Sequence, residues 1–538
     1  AQEIALRLTP LKEVYYTHDT TFDFNPKGHR ETNYVLLGIA FLILFIAGIN
    51  FTNLTTSLIP LRLKTINTHR VLGCSIYKLQ AISLIESIVI CLISYILALF
   101  IVNDLSYTPI ANWVDADIRL SQYKGLILLT ALIAILTGCL AGLYPAIRST
   151  SYAPALVLKG SFGLSPKGKK VRVALIGFQY TVSIALIIVT LFMGLQNHFM
   201  TSSEQLGFNK DQVAIVNLTP EIYAKHKPQY IQKLKDYPGI EDVAFSVYEL
   251  SKEDDMIDLE YARHEDKDVF FKVFYASENF LSVMDIQVEE GRDFTREDLN
   301  KAQSDYIINP AAERDFHLHP GDRFNDRTVL GVSKDFRFNS CRIASSPFVF
   351  ALNNDIPNPK LVSYIRFNSK TNLQEAVAHV RETLKEIDPT FPFEISFYNT
   401  ILNNLYQKEQ TLGKLISLFG IMAILISIVG VFGLVLFETQ YRRKEIGIRK
   451  INGATTGQIL LMFNKTYIRI VSVCFIISIP IAWMGTQQWL ENFAYKTPLH
   501  LWVFIVAFLI ILSVTIGTVT FRNWQAANEN PVNSVKSE

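Results

Sequence analysis

Long apolar runs alternate with short basic stretches along much of this chain. Runs with little or no charge occupy about Tyr34–Leu58, Leu79–Val102, Gly125–Ile147 and Val171–Leu195. A polar stretch from Gln196 to Gln410 follows, and then three more runs at about Leu412–Phe437, Ile468–Trp489 and Leu501–Phe521. Each run holds roughly 20 residues or more, the length that crosses ~30 Å of hydrocarbon at 1.5 Å per residue. The pattern therefore predicts about seven transmembrane helices and one large soluble domain.

Lys and Arg in the short loops set the orientation. The loop after the first run carries Arg62, Lys64, Arg70 and Lys78. The loop between the third and fourth carries Arg148, Lys159, Lys167, Lys169, Lys170 and Arg172. The loop after the fifth carries Arg442, Arg443, Lys444, Arg449 and Lys450. With seven spans these three loops and the C-terminal tail fall on one side, the cytoplasmic one. Residues 1–33, the 103–124 loop, the 196–410 domain and the 490–500 loop then fall outside.

The soluble stretch mixes two periods. Asp211–Leu218 reads as a strand, Asp258–Tyr275 alternates like a hairpin, and Thr328–Val332 and Leu361–Phe367 read as further strands. Ile222–Tyr237, closed by Pro238-Gly239, and Leu373–Ile387, followed by Pro389 and Pro392, read as amphipathic helices. Interleaved strands and helices predict an α+β domain. At this length it can bury a core of its own, as one body or as two lobes. Residues 1–33 are polar and read as the last strands of something larger, so the expectation is a chain lacking a first span and most of a first soluble domain.

Composition adds three limits. The chain has 538 residues, 49% of them hydrophobic, and a mean hydropathy of +0.22, which soluble domains rarely reach. A net charge of +2 argues against nucleic acid as a partner. Of the five cysteines only Cys341 falls in the soluble domain, so no internal disulfide can staple it.

The chain also repeats itself. Arg62-Leu-Lys-Thr-Ile-Asn-Thr-His-Arg-Val-Leu-Gly-Cys-Ser aligns with Arg442-Arg-Lys-Glu-Ile-Gly-Ile-Arg-Lys-Ile-Asn-Gly-Ala-Thr. Lys64 meets Lys444, Ile66 meets Ile446, Arg70 meets Lys450 and Gly73 meets Gly453. Each copy follows one span and precedes two more. Each triplet ends in a similar tail, Ala153-Pro-Ala-Leu-Val-Leu-Lys and Asn530-Pro-Val-Asn-Ser-Val-Lys. The copies differ where Thr65, Asn67 and His69 replace Glu445, Gly447 and Arg449, and the second copy is the better formed. Its residues Arg442, Arg443, Lys444, Glu445, Ile446, Gly447, Ile448, Arg449, Lys450, Gly453 and Ala454 suit a short amphipathic helix that docks into a groove of a cytoplasmic partner. A topology anchor made of the same basic residues is the plainer alternative. Arg62, Lys64, Ile66, Arg70 and Gly73 form the weaker counterpart.

The run from Gly430-Val-Phe-Gly through Arg442-Arg-Lys-Glu-Ile-Gly-Ile-Arg-Lys-Ile-Asn-Gly-Ala-Thr resembles the signature of the FtsX/MacB family of ABC-transporter permeases. The soluble pieces Met284-Asp-Ile-Gln-Val-Glu-Glu-Gly-Arg-Asp-Phe, Asp305-Tyr-Ile-Ile-Asn-Pro, Pro320-Gly-Asp-Arg-Phe and Val329-Leu-Gly-Val-Ser-Lys-Asp-Phe are similar to that family's periplasmic core domain. The resemblance implies a long, two-module form in the bacterial inner membrane. It divides the chain into a remnant of a first periplasmic domain (1–33), a three-helix module (34–160), a basic linker and helix (161–195), a periplasmic core domain (196–410) and a second three-helix module with a cytoplasmic tail (411–538). It further implies a separate, dimeric cytoplasmic ATPase that holds the ATP and Mg, with no cofactor in this chain. The expected function is export or extraction of a hydrophobic or peptide-like substrate. A transducer that moves no substrate but drives an envelope partner, such as a cell-wall hydrolase, is the alternative, and a sensor of envelope-active peptides is a third. A periplasmic or outer-membrane partner fits any of them.

No catalytic pattern emerges. Gly163-Leu-Ser-Pro-Lys-Gly-Lys-Lys imitates a phosphate loop, but Lys170 stands where Ser or Thr would hold Mg. It reads as a basic linker that can touch anionic lipid. Nothing near His317 and His319 completes a metal-ligand set, and they read as a solvated turn before Pro320-Gly321. Glu86, the one acidic residue well inside a span, lies within two turns of its cytoplasmic end, where the side chain can reach the interface.

Overall fold

The computed structural model describes residues 10–16, 30–113, 119–151, 166–202, 206–251, 258–265, 267–301, 303–337, 340–352 and 361–528. The helices run α1 Arg30–Ser57, α2 Ile59–Val71, α3 Ile76–Leu105, α4 Lys124–Thr150 and α5 Pro166–Thr201. Then come β1 Val213–Leu218, α6 Lys227–Lys235, β2 Ile240–Ser246, β3 Asp258–His264, β4 Lys267–Ala276, α7 Phe280–Met284 and β5 Val288–Gly291. They are followed by β6 Tyr306–Ile308, α8 Pro310–Phe316, β7 Arg323–Phe324, β8 Arg327–Ser333, β9 Phe348–Leu352, β10 Leu361–Phe367, α9 Leu373–Ile387, β11 Ile395–Phe397 and α10 Tyr398–Leu405. The chain closes with α11 Gln407–Tyr441, α12 Arg443–Ile451, α13 Thr456–Leu490 and α14 Leu501–Asn528. Two compact units result, one of residues 1–193, 411–488 and 499–538, the other of 194–410 and 489–498.

Among the described residues, the first unit holds seven helices long and apolar enough to cross a membrane: α1, α3, α4, α5, α11, α13 and α14. Helix contacts in such a medium come from small residues and buried polar groups. Gly138 and Gly142 of α4 form a Gly-x-x-x-Gly stripe against α3. A β-carbon at Gly142 would lie 2.5 Å from Ser87 Cβ, and one at Gly138 3.0 Å from Ile88 Cα. Between α5 and α11 the buried Ser183 and Ser427 hydroxyls sit 2.9 Å apart. Tyr180 of α5 accepts a 3.0 Å hydrogen bond from Thr515 of α14. Asn50 of α1 donates to the Ile426 carbonyl of α11 at 2.6 Å.

The second unit is built on one 11-stranded mixed sheet, in the order β11-β1-β10-β2-β4-β9-β6-β8-β5, with β3 on β4 and β7 on β8. Alternation along the strands gives it two faces. Phe274 of β4 and Phe348 and Phe350 of β9 point to one face, where a single cluster with Phe280, Phe336 and Tyr364 runs across the domain. Phe271, Val349 and Ala351 point to the other, in a cluster with Phe316 and Phe324. A separate cluster on that face joins β1, β2 and β10 to α6 and α9 through Ile365, Tyr230, Leu234, Val380 and Leu384. The domain thus has two lobes on one side and a common sheet through both. Strands and helices expected at 211–218, 258–275, 328–332, 361–367, 222–237 and 373–387 are present, the 222–237 segment as a π turn (Ile222–His226) leading into α6.

Two expectations change. The helix expected from Ile468 starts at Thr456, because the apolar run Ile459–Phe463 and the short polar stretch after it continue the helix. Residues 490–500 do not form a plain loop: Trp489–Pro498 belongs to the α/β unit. Glu86, expected to reach the interface, pairs with Arg62 at 2.8 Å. The remnant expected at 1–33 lies mostly outside the described residues, as does Gly163, while Gly168 to Lys170 of the phosphate-loop imitation sit in the first turns of α5.

Candidate functional site

The repeated basic segments both fold as a helix closed by glycine. In the second copy Gly453 takes φ +88°, a left-handed conformation that glycine adopts without a Cβ clash. Its N–H reaches the Lys450 carbonyl at 3.0 Å, while the Ala454 N–H reaches that of Arg449 at 2.9 Å. These two bonds satisfy carbonyls that a helix end leaves without partners. In the first copy Gly73 takes φ +91°. Its N–H reaches the Arg70 carbonyl at 3.0 Å, and the Cys74 N–H that of His69 at 3.0 Å. The next helix is capped alike in both. The Ser75 hydroxyl accepts from the Lys78 N–H at 3.4 Å, and the Thr455 hydroxyl from the Gln458 N–H at 3.3 Å. Gln458 returns the bond by accepting from the Thr455 N–H at 3.1 Å, completing a capping box. The alignment read from the residues therefore extends to backbone geometry.

The side chains divide the copies. On α12, Ile446 is buried at 3% exposure and Gly447 beside it is buried. Ile448 and Ile451 stand 55% and 66% exposed, three residues apart on one face. Arg449 on that side bridges to Glu445 at 2.8 Å. Glu445 in the first turn and Arg449 and Lys450 in the last complement the helix dipole. Arg442 is held by Glu438 at 2.9 Å and lies 5.8 Å above the Phe463 ring. The second copy thus pairs its charges with its own neighbours and offers solvent two isoleucines among them. Arg443 and Lys444 lie in the first turn of α12.

On α2 the polar groups turn to the membrane helices. Arg62 makes two 2.8 Å bonds to Glu86 of α3. Arg70 donates to the Thr150 carbonyl of α4 at 3.2 Å, and Gln80 of α3 to the Thr150 hydroxyl at 2.9 Å. Ile66 is half-buried, and Asn67 is buried and donates to the Leu63 carbonyl at 2.9 Å. Lys64 lies mid-helix.

Sequence reading missed two features. Residues 489–498 join α13 to α14 and complete the α/β core: Phe493 is 2% exposed in its largest cluster. The Tyr495 N–H donates to the Cys341 carbonyl at 3.1 Å, its hydroxyl accepts from the Ser345 N–H at 3.1 Å, and Arg337 stacks 4.0 Å from its ring centroid. Gln196, at the end of α5, donates to the Tyr495 carbonyl and accepts from the Thr497 N–H. The aromatic density of Trp489-Leu-Glu-Asn-Phe-Ala-Tyr495 was the available signal. The structure also brings Glu290 and Glu313 beside His319, their ligand atoms within 4.8 Å of one another. His317 is not part of that group.

Comparison with known proteins adds the following. The model of the FtsX-like permease C-terminal domain matches residues 37–154 and 417–531. The macrolide export ATP-binding/permease protein MacB of Aggregatibacter actinomycetemcomitans is 25% identical over 212 residues, covering 37% of this chain and 32% of that protein. MacB of Neisseria gonorrhoeae is 25% identical over 223 residues, covering 39% and 34%. The chain thus spans about a third of the length of these relatives. Among solved structures, the periplasmic region of MacB from Actinobacillus actinomycetemcomitans has a TM-score of 0.28 at 15% identity, covering 37% of this chain and 94% of that one. The extracellular domain of the ABC-type transporter YknZ from Gram-positive bacteria has a TM-score of 0.26 at 15% identity, covering 34% and 99%. Each permease-domain match contains one glycine-closed helix with the apolar helices around it, and the chain is a multi-pass membrane protein that carries two FtsX-like permease domains.

Proposed function

We propose that this chain is the permease of an ABC transporter that takes its energy from a separate cytoplasmic ATPase and passes it to the α/β domain. One observation carries the reading: α12 is fixed by a buried Ile446 and a glycine cap while Ile448 and Ile451 face solvent beside Arg449. An amphipathic helix with anchors three residues apart fits a groove on a partner protein. The partner is an ATPase dimer that holds the ATP and Mg, and α2, with its charges turned inward, engages it more weakly. The α2 and α12 side of the membrane is the cytoplasm and the α/β domain lies outside the inner membrane, a reading that the basic loops support. Motion at α12 has a covalent route outward. The last turns of α5 and the 489–498 connection between α13 and α14 are built into the α/β core. The names of the relatives include macrolide export, which supports export or extraction of a hydrophobic or peptide-like substrate.

The test is co-purification of the full chain from its native membrane. Ile448→Asp with Ile451→Asp alters only exposed positions, so the fold persists and a co-purifying ATPase is lost. Val71→Asp with Leu72→Asp, exposed at 67% and 78% on the first copy, retains most of it. Undiminished ATPase on the α12 variant reduces that helix to a topology anchor. Stimulation of the recovered ATPase by an amphiphilic peptide or macrolide supports transport, and stimulation only by an envelope protein supports transduction instead.

A further inference from the structure

A cavity of about 600 Å³ lies between α2, α3 and α4 of the membrane unit. Its lining has two characters. Ile59, Ile66, Leu79, Ile82 and Pro145 make an apolar wall. Arg62 and Lys78 give it a cationic side with the His69 imidazole beside them, and Glu86 is the single carboxylate of the lining. Arg62 and Glu86 neutralise each other, yet their side chains stay 47% and 42% exposed. A guanidinium carries five N–H donors, so this one has more to offer than the two Glu86 uses. Lys78 leaves the lining with a net positive charge.

The second copy has filled the same place. Counting on from the paired glycines, Phe463 stands where Ser83 lines the cavity, and it is buried at 2% exposure under Arg442. Glu445 stands where Thr65 does and Arg449 where His69 does, and those two bond to each other. The cavity therefore follows from small residues in the very copy whose α2 has turned its charges inward.

From these observations we propose that the cavity binds one anionic phospholipid. Its phosphate is bound by Arg62, His69 and Lys78, and one acyl chain runs over Ile82 and on along Ile85 and Val89. These three side chains are 54%, 59% and 46% exposed on one face of an apolar span. Basic pockets at the ends of membrane helices suit lipid headgroups. A free phosphate or nucleotide would use the cationic side alone and leave the apolar wall wet. The first repeat thus trades part of its grip on a protein partner for a grip on the bilayer.

The test uses the full chain in mild detergent with added phosphatidylglycerol, phosphatidylcholine or inorganic phosphate, and native mass spectrometry to count what stays bound on dilution. One phosphatidylglycerol per chain is expected, with phosphatidylcholine retained at least tenfold less. Ser83→Phe copies the second repeat and lowers phosphatidylglycerol retention at least tenfold. If its melting curve shows that it fails to fold, Lys78→Gln with His69→Gln, both exposed, carries the test and removes the preference between the two lipids. Equal retention of both lipids by the wild type overturns the proposal, as does unchanged retention in the variants. Displacement of phosphatidylglycerol by excess inorganic phosphate overturns the acyl-chain half and makes the cavity a site for soluble phosphate.

Discussion

Asn50 and Gly430 occupy the same position of the two repeats, and the structure brings them together. A β-carbon added at Gly430 would lie 2.3 Å from Asn50 Oδ1, 3.0 Å from Asn50 Cγ and 3.0 Å from Gln179 Oε1. Optimal non-bonded contacts need about 3.5 Å, so the amide oxygen is more than an ångström too close. Asn50 is 7% and Gln179 1% exposed, leaving little room to yield. To clear the methyl, the Asn50 amide must rotate away from the Ile426 carbonyl it meets at 2.6 Å. An interhelical hydrogen bond in a membrane is worth about 0.6–1.7 kcal/mol. Overpacking a tight interior adds about 1–3 kcal/mol. Gly430→Ala is therefore expected to cost about 2–4 kcal/mol. In an Asn50→Ala background the nearer obstacle is gone and only Gln179 Oε1 at 3.0 Å must give way, so the same substitution costs under about 1 kcal/mol. Denaturation of the purified chain in mixed detergent, titrated with SDS, reads all four proteins. Additivity within about 0.5 kcal/mol refutes a direct contact between the repeats at this point.

Three further outcomes are expected. Gly453→Ala and Gly73→Ala force φ +88° and φ +91° on a residue with a Cβ, which meets nothing within 4 Å, so each costs only the conformational term of about 1–2 kcal/mol; a larger loss in detergent melts would reveal packing at that helix end. Arg292, with further bonds from Thr295 and Lys301, holds the nearly buried Asp298 carboxyl far below the usual carboxylate range. A carboxyl ionised more easily when folded stabilises the domain fully above the unfolded value of about 3.9 and loses that stability as pH falls below it, so Asp298→Asn lowers the melting temperature at pH 7 and flattens its fall between pH 4 and pH 2, both by about those limits; a parallel fall in both proteins would refute the linkage. Phe493→Ala removes a buried ring from the α/β core and costs about 3–5 kcal/mol by thermal melting, whereas a change under about 1 kcal/mol would mean that the 489–498 segment only rests on that core.

The parts legible in the residues were those written locally. Seven apolar runs became seven helices because hydrocarbon leaves no other use for such lengths. The two loops aligned at Gly73 and Gly453 because one backbone cap needs one glycine at one place. The amphipathic α9 declared itself over Leu373–Ile387, with Ala376, Val380 and Leu384 on its buried side. Strands β6 and β9 did not, since Tyr306–Ile308 and Phe348–Leu352 are buried on both faces and carry no alternation. Also hidden were the meetings between distant segments: Arg62 with Glu86, Phe493 with the α/β core, and Glu290 and Glu313 with His319.

The divergence of the two repeats shows where the line falls. That Thr65, Asn67 and His69 replace Glu445, Gly447 and Arg449 is plain from alignment, and it is the ground for expecting the first helix to couple more weakly. What the first helix does in exchange depends on Ser83, which is one position among many small residues until α3 and α4 are packed. Only then does it leave a cavity, bounded by Pro145 and Thr150 of a third helix. A substitution in a repeat changes its partner through the local residue, but it creates a new site through the neighbours that the residue no longer fills. The sharpest reading of such a pair therefore comes from asking, at each unequal position, which copy's side chain occupies the space and what the other copy's neighbours could hold there.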